Sequence, residues 1–301
     1  MSKWPRPVQR VVSTVATALS VATAAWAQGE VKPEFVERIE QALPDQAQAK
    51  PAKPRKLLVF YKTEGFVHGS IPTGNFALKR LGEKSGAYTA DFSNDMKSFD
   101  EATLFTYDAV LFNNTTQLKF TDPQHRANLL RFIKEGRGMA GIHAASDNFG
   151  TWPEAACLIG GQFDGHPWGA GYTVAVQNDD PDHPINACFC GKGFEIKDEI
   201  YQMKGCFSRD TQRVLLSLDW GNPMNHKVDT TKLKRADRDF GISWVKQEGA
   251  GRVFYCSLGH NDHVYWDAAV LRHYLAGIQY ALGDLQADAK PMPRKSAVTT
   301  P

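Results

Sequence analysis

A short apolar segment with glycines at both ends and in its middle, residues 136–148, restricts the fold of this 301-residue chain most. Its sequence is Gly-Arg-Gly-Met-Ala-Gly-Ile-His-Ala-Ala-Ser-Asp-Asn. The apolar part is typical of a strand buried on both faces, and the residues after it predict a sharp turn at His143. In an open α/β sheet, ligands bind beyond the carboxyl ends of the strands. We therefore expect His143 to lie in a functional site; the alternative is that it only donates a hydrogen bond that closes the turn.

Apolar runs alternate with helical patterns through the first half of the chain. Strands are predicted at residues 57–61, 88–92, 107–113 and 138–143, and helices at residues 74–85 and 121–136. Strand and helix in alternation predict an α/β fold, with a parallel sheet that carries helices on both faces. The second half is richer in predicted strands, at residues 172–176, 195–201, 214–218, 242–245 and 252–257. The last two strands form a predicted hairpin, and a helix over residues 267–282 closes the domain.

The N-terminus has the layout of a secretory signal peptide. Three cations, Lys3, Arg6 and Arg10, precede an uncharged apolar run over residues 11–25, and Ala-Trp-Ala precedes Gln28. We therefore expect residues 1–27 to be cleaved and the product to be periplasmic or secreted; the alternative is an uncleaved anchor. The run is shorter than the roughly 20 apolar residues that span a bilayer, and no later segment is long and apolar enough, so we expect no stable membrane insertion.

The mature chain divides into a linker, one domain and a tail. Residues 28–55 are rich in Pro, Ala, Gln and Lys, with one short amphipathic piece at 34–43, and predict a linker or arm without a core of its own. Residues 56–283 form the predicted domain, and residues 284–301 a disordered tail. Loss of the signal peptide removes three of the 35 Lys and Arg and leaves 32 against 33 Asp and Glu. This balance gives no support to nucleic-acid binding.

The five cysteines fit no common zinc pattern and include no Cys-x-x-Cys motif. Export permits a disulfide. Cys188, Cys190 and Cys206 lie in one irregular region, so the sequence favours a disulfide between Cys206 and either Cys188 or Cys190. Because the number of cysteines is odd, at least one thiol is free.

Polar groups follow several predicted strands. They include His68 in the loop over residues 63–69, Asn113 at the end of the third strand, and His143 with Ser146 and Asp147. The motifs in order are Gly-Ile-His-Ala (141–144), Gly-Gly-x-Phe-x-x-His-Pro (160–167), Asp-His-Pro (182–184), Asp-Glu-Ile-Tyr (198–201), and Gly-Arg-Val-Phe-Tyr (251–255) leading to Gly259, His260 and Trp266.

Together these motifs closely resemble the trehalose-utilisation (ThuA-like) family over residues 56–283. The resemblance implies a flavodoxin-like sheet of the class I glutamine amidotransferase type, and a role in carbohydrate metabolism beside oxidoreductases that make 3-keto sugars. Amidotransferases carry a nucleophilic cysteine at the turn where this chain has His143. A glutaminase reaction is therefore not expected, because an imidazole does not replace the thiolate that forms the acyl intermediate.

Cleavage of a 3-keto glycoside by elimination needs a base for the proton on carbon 2, a stabiliser for the enolate and an acid for the leaving oxygen. We expect His143 and His68 to act as acid/base or enolate-stabilising groups and Glu199 to orient one of them or hold sugar hydroxyls. The predicted substrate-binding residues are Asn113, Trp152, His166, His260 and Trp266. Structural alternatives remain open for three residues: Trp266 as core, Glu199 as a loop contact and His183 as a turn residue.

No cofactor follows with certainty from the sequence. His68, His143, His166 and His260 are candidates to converge with a carboxylate on zinc or another divalent transition ion. The function expected is thus an exported carbohydrate hydrolase or lyase with a small carbohydrate substrate and a sugar oxidoreductase as pathway partner. The alternative is a non-catalytic protein that uses the same side chains to bind a sugar.

Overall fold

A computed structural model describes residues 30–294; the predicted signal peptide lies outside this range. The strands are β1 (Lys56–Phe60), β2 (Thr89–Ser93), β3 (Ala109–Asn113), β4 (Gly138–Ile142), β5 (Gln162–Phe163), β6 (Thr173–Asn178), β7 (Phe194–Lys197), β8 (Met203–Lys204), β9 (Arg213–Leu218), β10 (Gly241–Glu248) and β11 (Gly251–Cys256). The α-helices are α1 (Pro33–Ala42), α2 (Ile71–Ser85), α3 (Glu101–Leu104), α4 (Pro123–Lys134), α5 (Pro153–Ile159) and α6 (Ala268–Ala281). Between residues 30 and 294, no helix is both long and apolar enough to cross a membrane.

Nine strands form one mixed sheet in the order β2-β1-β3-β4-β11-β10-β9-β6-β7. The first five strands in this order are parallel to one another. The remaining pairs are antiparallel, and β10 and β11 form the predicted hairpin. The predicted flavodoxin-like α/β sheet with a β-rich second half is confirmed. Strands β5 and β8 pair separately from this sheet.

Helices cover both faces of the sheet, as predicted. Along β1, Leu57 and Val59 point into a core shared with α1, α2 and α6, whereas Leu58 and Phe60 point into a second core with α4 and α5. Burial on both faces accounts for the continuous apolar sequence of the central strands. Each such side chain contributes about 1.5–3 kcal/mol when it is removed from water.

The glycine at the start of β4 permits close helix packing. A Cβ atom on Gly138 would overlap the carbonyl oxygen of Ala281, at the end of α6. A larger residue would push α6 away from the strand that leads to His143. Gly138, one of the glycines that predicted this strand, is therefore required by the packing of α6 on the sheet.

The described parts of the predicted linker and tail contact the domain. Ile39 of α1 is fully buried in the first core. The backbone N–H groups of Gln48 and Ala49 donate to Oε1 of Gln279 on α6, at 2.9 and 3.1 Å. Arg55 and Asp284 form an ion pair at 2.6 Å, which joins the two segments at the edge of the sheet. The amphipathic helix α1 therefore packs against the domain and contributes Ile39 to its first core.

The predicted disulfide partner of Cys206 is wrong. Cys206 pairs with Cys157, and their Cα atoms are 5.2 Å apart. The cause is non-local: β5 and β8 pair antiparallel and bring the end of α5 beside the loop after β8. Cys188 and Cys190 are free, as is the buried Cys256.

This disulfide is expected to stabilise the fold by about 4 kcal/mol, because it closes a loop with a sequence separation of 49 residues and so restricts the unfolded chain. Replacing Cys157 and Cys206 together by alanine should lower the free energy of unfolding, measured with urea, by about that amount. The matched control replaces the free Cys188 and Cys190. Equal stability of the two double variants would show that the disulfide does not stabilise the chain.

Candidate functional site

Three histidines from separate loops meet at the carboxyl edge of the parallel strands. His68 follows β1, His143 follows β4 and His260 follows β11. Their ring centroids are 4.8 Å apart for His68 and His143, 5.1 Å for His68 and His260, and 5.2 Å for His143 and His260. These are three of the four histidines predicted from the sequence as candidates to converge.

His143 is fully buried and its backbone is in the left-handed region, with φ 49°. Nδ1 donates a hydrogen bond to the carbonyl oxygen of Ser257 at 2.6 Å, so Nδ1 carries the proton. Burial holds the pKa of His143 well below its usual value, and the neutral ring therefore has a free lone pair on Nε2. The hydroxyl of Tyr201 donates to that lone pair at 2.8 Å. Strained backbone at such a position marks a site whose surroundings over-determine it.

Glu199 is the carboxylate that joins the histidines. Its Oε1 lies 3.4 Å from Nδ1 of His260 and 3.7 Å from Nε2 of His143, and its Oε2 lies 3.2 Å from Nδ1 of His166. The hydrogen bond with Glu199 raises the pKa of His260, whereas burial and the nearby charge of His260 lower the pKa of His68 to about 4. Neighbouring imidazoles thus differ in pKa because burial dominates at His143 and His68, whereas the hydrogen bond with Glu199 dominates at His260.

Asp198 and Gly259 hold His260 in place. The buried carboxylate of Asp198 accepts from the backbone N–H groups of Gly259 at 2.7 Å and Asn261 at 2.9 Å, one on each side of His260. A Cβ atom on Gly259, whose φ is 129°, would lie 2.9 Å from the hydroxyl oxygen of Tyr265 and 3.4 Å from Cβ of His143. Only glycine allows this loop to approach His143 so closely.

A cavity of about 330 Å³ opens beside the cluster. Its polar lining residues are His68, Gln117, Asp147, His166, Glu199 and His260, and its aromatic lining residues are Phe66, Phe163 and Tyr201. A second cavity of about 420 Å³ shares Phe163 and His166 with the first. His143 lies behind Tyr201, one layer below the wall of the first cavity. Both volumes fall in the range of ligand pockets, roughly 300–1,000 Å³.

Asp147 adds a second carboxylate to the first cavity. Burial raises its pKa to about 6. Burial also raises the pKa of Tyr201, and the negative charges of Glu199 and Asp147 raise it further. A carboxyl group with a pKa near neutrality in a cavity is typical of a general base.

Three of the predicted substrate-binding residues lie elsewhere. Trp152 is buried in the second core against Phe120 and Phe149, because its position before α5 turns it towards the sheet. Trp266 packs on Phe35 of α1, with ring centroids 4.7 Å apart. Asn113 is buried and donates a hydrogen bond to Oδ1 of Asn75 at 2.9 Å, so its side chain joins the end of β3 to α2. His183 caps the 3₁₀ helix Pro184–Phe189, the turn role left open by the sequence.

The side chains that the sequence did not single out are Phe66, Gln117, Phe163 and Tyr201; Asp147 was named as a polar group after the fourth strand, but no role was predicted for it. Phe163 and Tyr201 belong to motifs quoted above, and Phe66 and Gln117 lie in loops that follow predicted strands. The available signal was position, since these residues come from loops that meet at the same edge of the sheet.

A family model described as ThuA, trehalose utilisation, matches residues 56–281. The chain belongs to the ThuA family. No protein with a curated description matches the sequence. The ThuA fold is shared with solved structures, among them a ThuA-like protein from Bacteroides uniformis, with 22% identity and a TM-score of 0.60 over 77% of this chain and 94% of that one. A ThuA-like protein from Parabacteroides merdae has 19% identity and a TM-score of 0.57 over 81% and 96% of the two chains. At these identities the neighbours show the fold of this ThuA protein, and its chemistry must be argued from its own site.

Proposed function

We propose that this ThuA protein is a carbohydrate hydrolase or lyase that cleaves a 3-keto glycoside by elimination. The observation that carries the proposal is the pairing of two features in one cavity. Asp147 faces the cavity from one loop, and three histidines from other loops line it with a second carboxylate, Glu199. These histidines are His68, His166 and His260, of which the last two contact Glu199. Elimination next to a ketone needs a base on one side of the sugar and a stabiliser of negative charge on the other.

The reaction balances without a redox step. The base takes the proton from carbon 2, the electron pair of that C–H bond forms the enolate of the 3-ketone, and the bond from carbon 1 to the glycosidic oxygen breaks. The leaving oxygen takes a proton from an acid and departs as an alcohol, which leaves an unsaturated keto sugar. Addition of water to that product gives the products of hydrolysis.

The geometry supports one assignment of these roles. Asp147 is the base, since its raised pKa suits proton removal near neutral pH. The enolate oxygen is stabilised by His68 and His260, which line the cavity. Glu199 orients His260, and His143 supports His260 from behind Tyr201. His166 protonates the leaving oxygen, because it lines both cavities and so stands where the two sugar units of a disaccharide would join.

The shape of the site suits a two-unit sugar. The first cavity has aromatic rings from Phe66, Phe163 and Tyr201 as apolar surfaces for a pyranose ring, in place of the tryptophans that the sequence suggested. Phe66 is 64% exposed, so that its ring is available to a ligand. The second cavity has room for the leaving unit beside Lys232 and Lys234.

The test is incubation of the purified mature protein with 3-keto disaccharides and their unoxidised parents, followed by mass spectrometry. We expect cleavage of the keto forms alone, because only they have an acidified proton on carbon 2. Saturable binding of the sugars without turnover would contradict the proposal and support a non-catalytic sugar-binding protein.

We also propose export and a pathway position for the protein. The charge pattern of residues 1–27 supports export, as does the disulfide between Cys157 and Cys206, which is typical of oxidising compartments. The substrate would come from a sugar oxidoreductase that makes the 3-ketone. N-terminal sequencing of the protein from its native host should begin at Gln28; an intact N-terminus would contradict cleavage.

A further inference from the structure

We propose that His143, His260, Glu199 and His68 bind one divalent transition-metal ion of the zinc class. Three of the donor atoms already lie at the corners of a small triangle. Nε2 of His143 and Nδ1 of His260 are 3.3 Å apart, and Oε1 of Glu199 is 3.4 Å from the His260 nitrogen and 3.7 Å from the His143 nitrogen. In a tetrahedral site with metal bonds of 2.0–2.1 Å, ligand atoms are about 3.3–3.4 Å apart. The spacing is therefore that of ligands around one ion.

Hydrogen bonds around the cluster orient His143, Glu199 and the loop of His260, and the ion would take the place of the proton that His260 Nδ1 shares with Glu199. His143 donates Nδ1–H to the carbonyl oxygen of Ser257, which fixes the tautomer with a lone pair on Nε2. Metal-binding histidines almost always make such a second bond. Glu199 uses Oε2 towards His166 and leaves Oε1 for the ion. Asp198 fixes the backbone on both sides of His260.

His68 supplies the fourth ligand. One ring nitrogen of His68 lies within 4.8 Å of the donor atoms of the other three residues. His68 is 5% exposed, and its Nδ1 is buried with no hydrogen-bond partner among residues 30–294. A buried imidazole left with an unpaired nitrogen is costly in a metal-free protein, whereas ligation gives the ring a strong interaction.

The donor set selects the class of ion. Three imidazole nitrogens and one carboxylate oxygen suit zinc, cobalt and related ions, while calcium and magnesium prefer oxygen ligands alone. The hydroxyl proton of Tyr201 occupies the Nε2 lone pair of His143 when no ion is bound, and the ion takes its place. The consequence for catalysis rests on the proposed function: the ion would add positive charge where the enolate forms.

Binding is tested without any sugar, so that failure of this inference and failure of the proposed function are distinguishable. The protein is stripped with a chelator, dialysed, and titrated with Zn²⁺ by calorimetry, with Mg²⁺ as comparison and Co²⁺ as a spectroscopic probe. We expect one Zn²⁺ per chain, no Mg²⁺ binding at the same concentrations, and visible absorption bands of tetrahedral Co²⁺.

Single variants identify the ligands. His260→Ala and His68→Gln should each weaken Zn²⁺ binding at least about 100-fold. Tyr201→Phe removes a hydroxyl but no ligand and should retain binding. The control His226→Ala, at an exposed histidine outside the cluster, should match the unaltered protein. Circular dichroism checks that each variant is folded. Absence of saturable Zn²⁺ binding to the unaltered protein would overturn the inference. So would a Zn²⁺ affinity of the folded His260→Ala and His68→Gln variants equal to that of the unaltered protein.

Discussion

Replacing His143 by glutamine is expected to lower the turnover of a 3-keto disaccharide about 1,000-fold in a chain that stays folded. Glutamine fills the space of the buried imidazole and is uncharged like the neutral ring, although it loses the hydrogen bond that Nδ1 donates to the carbonyl oxygen of Ser257 at 2.6 Å. It removes the Nε2 lone pair and with it the centre of the cluster formed with His260 and Glu199. Turnover is measured by mass spectrometry and folding by thermal unfolding.

Two further variants make the result interpretable. His143→Asn tests the backbone, because asparagine adopts the left-handed conformation found at this position more readily than most residues. His226→Gln makes the same chemical change at an exposed histidine. Full activity in folded His143→Gln would remove His143 from the mechanism and leave it the role of closing the turn.

Replacing Asp147 by asparagine is expected to lower turnover about 100- to 10,000-fold, since the amide cannot take the proton from carbon 2. The pH profile gives a second readout. Burial raises the pKa of Asp147 from 3.8 to about 6, so that the basic carboxylate predominates above pH 6 and is lost as the pH falls through that value. Turnover by the unaltered protein should therefore fall about tenfold for each pH unit below 6.

The control for Asp147→Asn is Asp210→Asn, at an exposed aspartate. The residual activity of Asp147→Asn should lack the fall in turnover near pH 6, and the control should retain it. An unchanged rate and pH profile in folded Asp147→Asn would assign the base to another group of the cavity.

Local pattern was sufficient to predict the elements that carry the site. The apolar run with glycines predicted β4 and the turn at His143, and the helical spacing after residue 267 predicted α6. His68 and His143 both follow predicted parallel strands, which favoured the same edge of the sheet; the strand order that places β1 and β4 on either side of β3 came from the structure. These features depend on residues close in sequence or on rules for parallel sheets.

What escaped prediction depends on contacts between distant segments. Cys157 meets Cys206 only through the pairing of β5 with β8, and Trp152 is buried only because the second core closes over it. The sequence predicted that His143 acts on the substrate, whereas the structure places Tyr201 between His143 and the cavity. No local sequence pattern determines whether Tyr201 or His143, which come from different loops, lines the cavity. Asp147 was named from the sequence as a polar group, but its role as a base was not predicted, because its raised pKa arises from burial by the rest of the fold.

The central claim is that the protein removes the proton on carbon 2 of a keto sugar. The most direct measurement is to incubate the protein with a 3-keto disaccharide in D₂O and follow deuterium at carbon 2 by NMR together with cleavage. We predict that deuterium enters at carbon 2, in the recovered substrate or in the hydrated product, with the unaltered protein, and that neither exchange nor cleavage occurs with Asp147→Asn. Cleavage of the unoxidised parent disaccharide at a similar rate, with no deuterium at carbon 2, would contradict the claim.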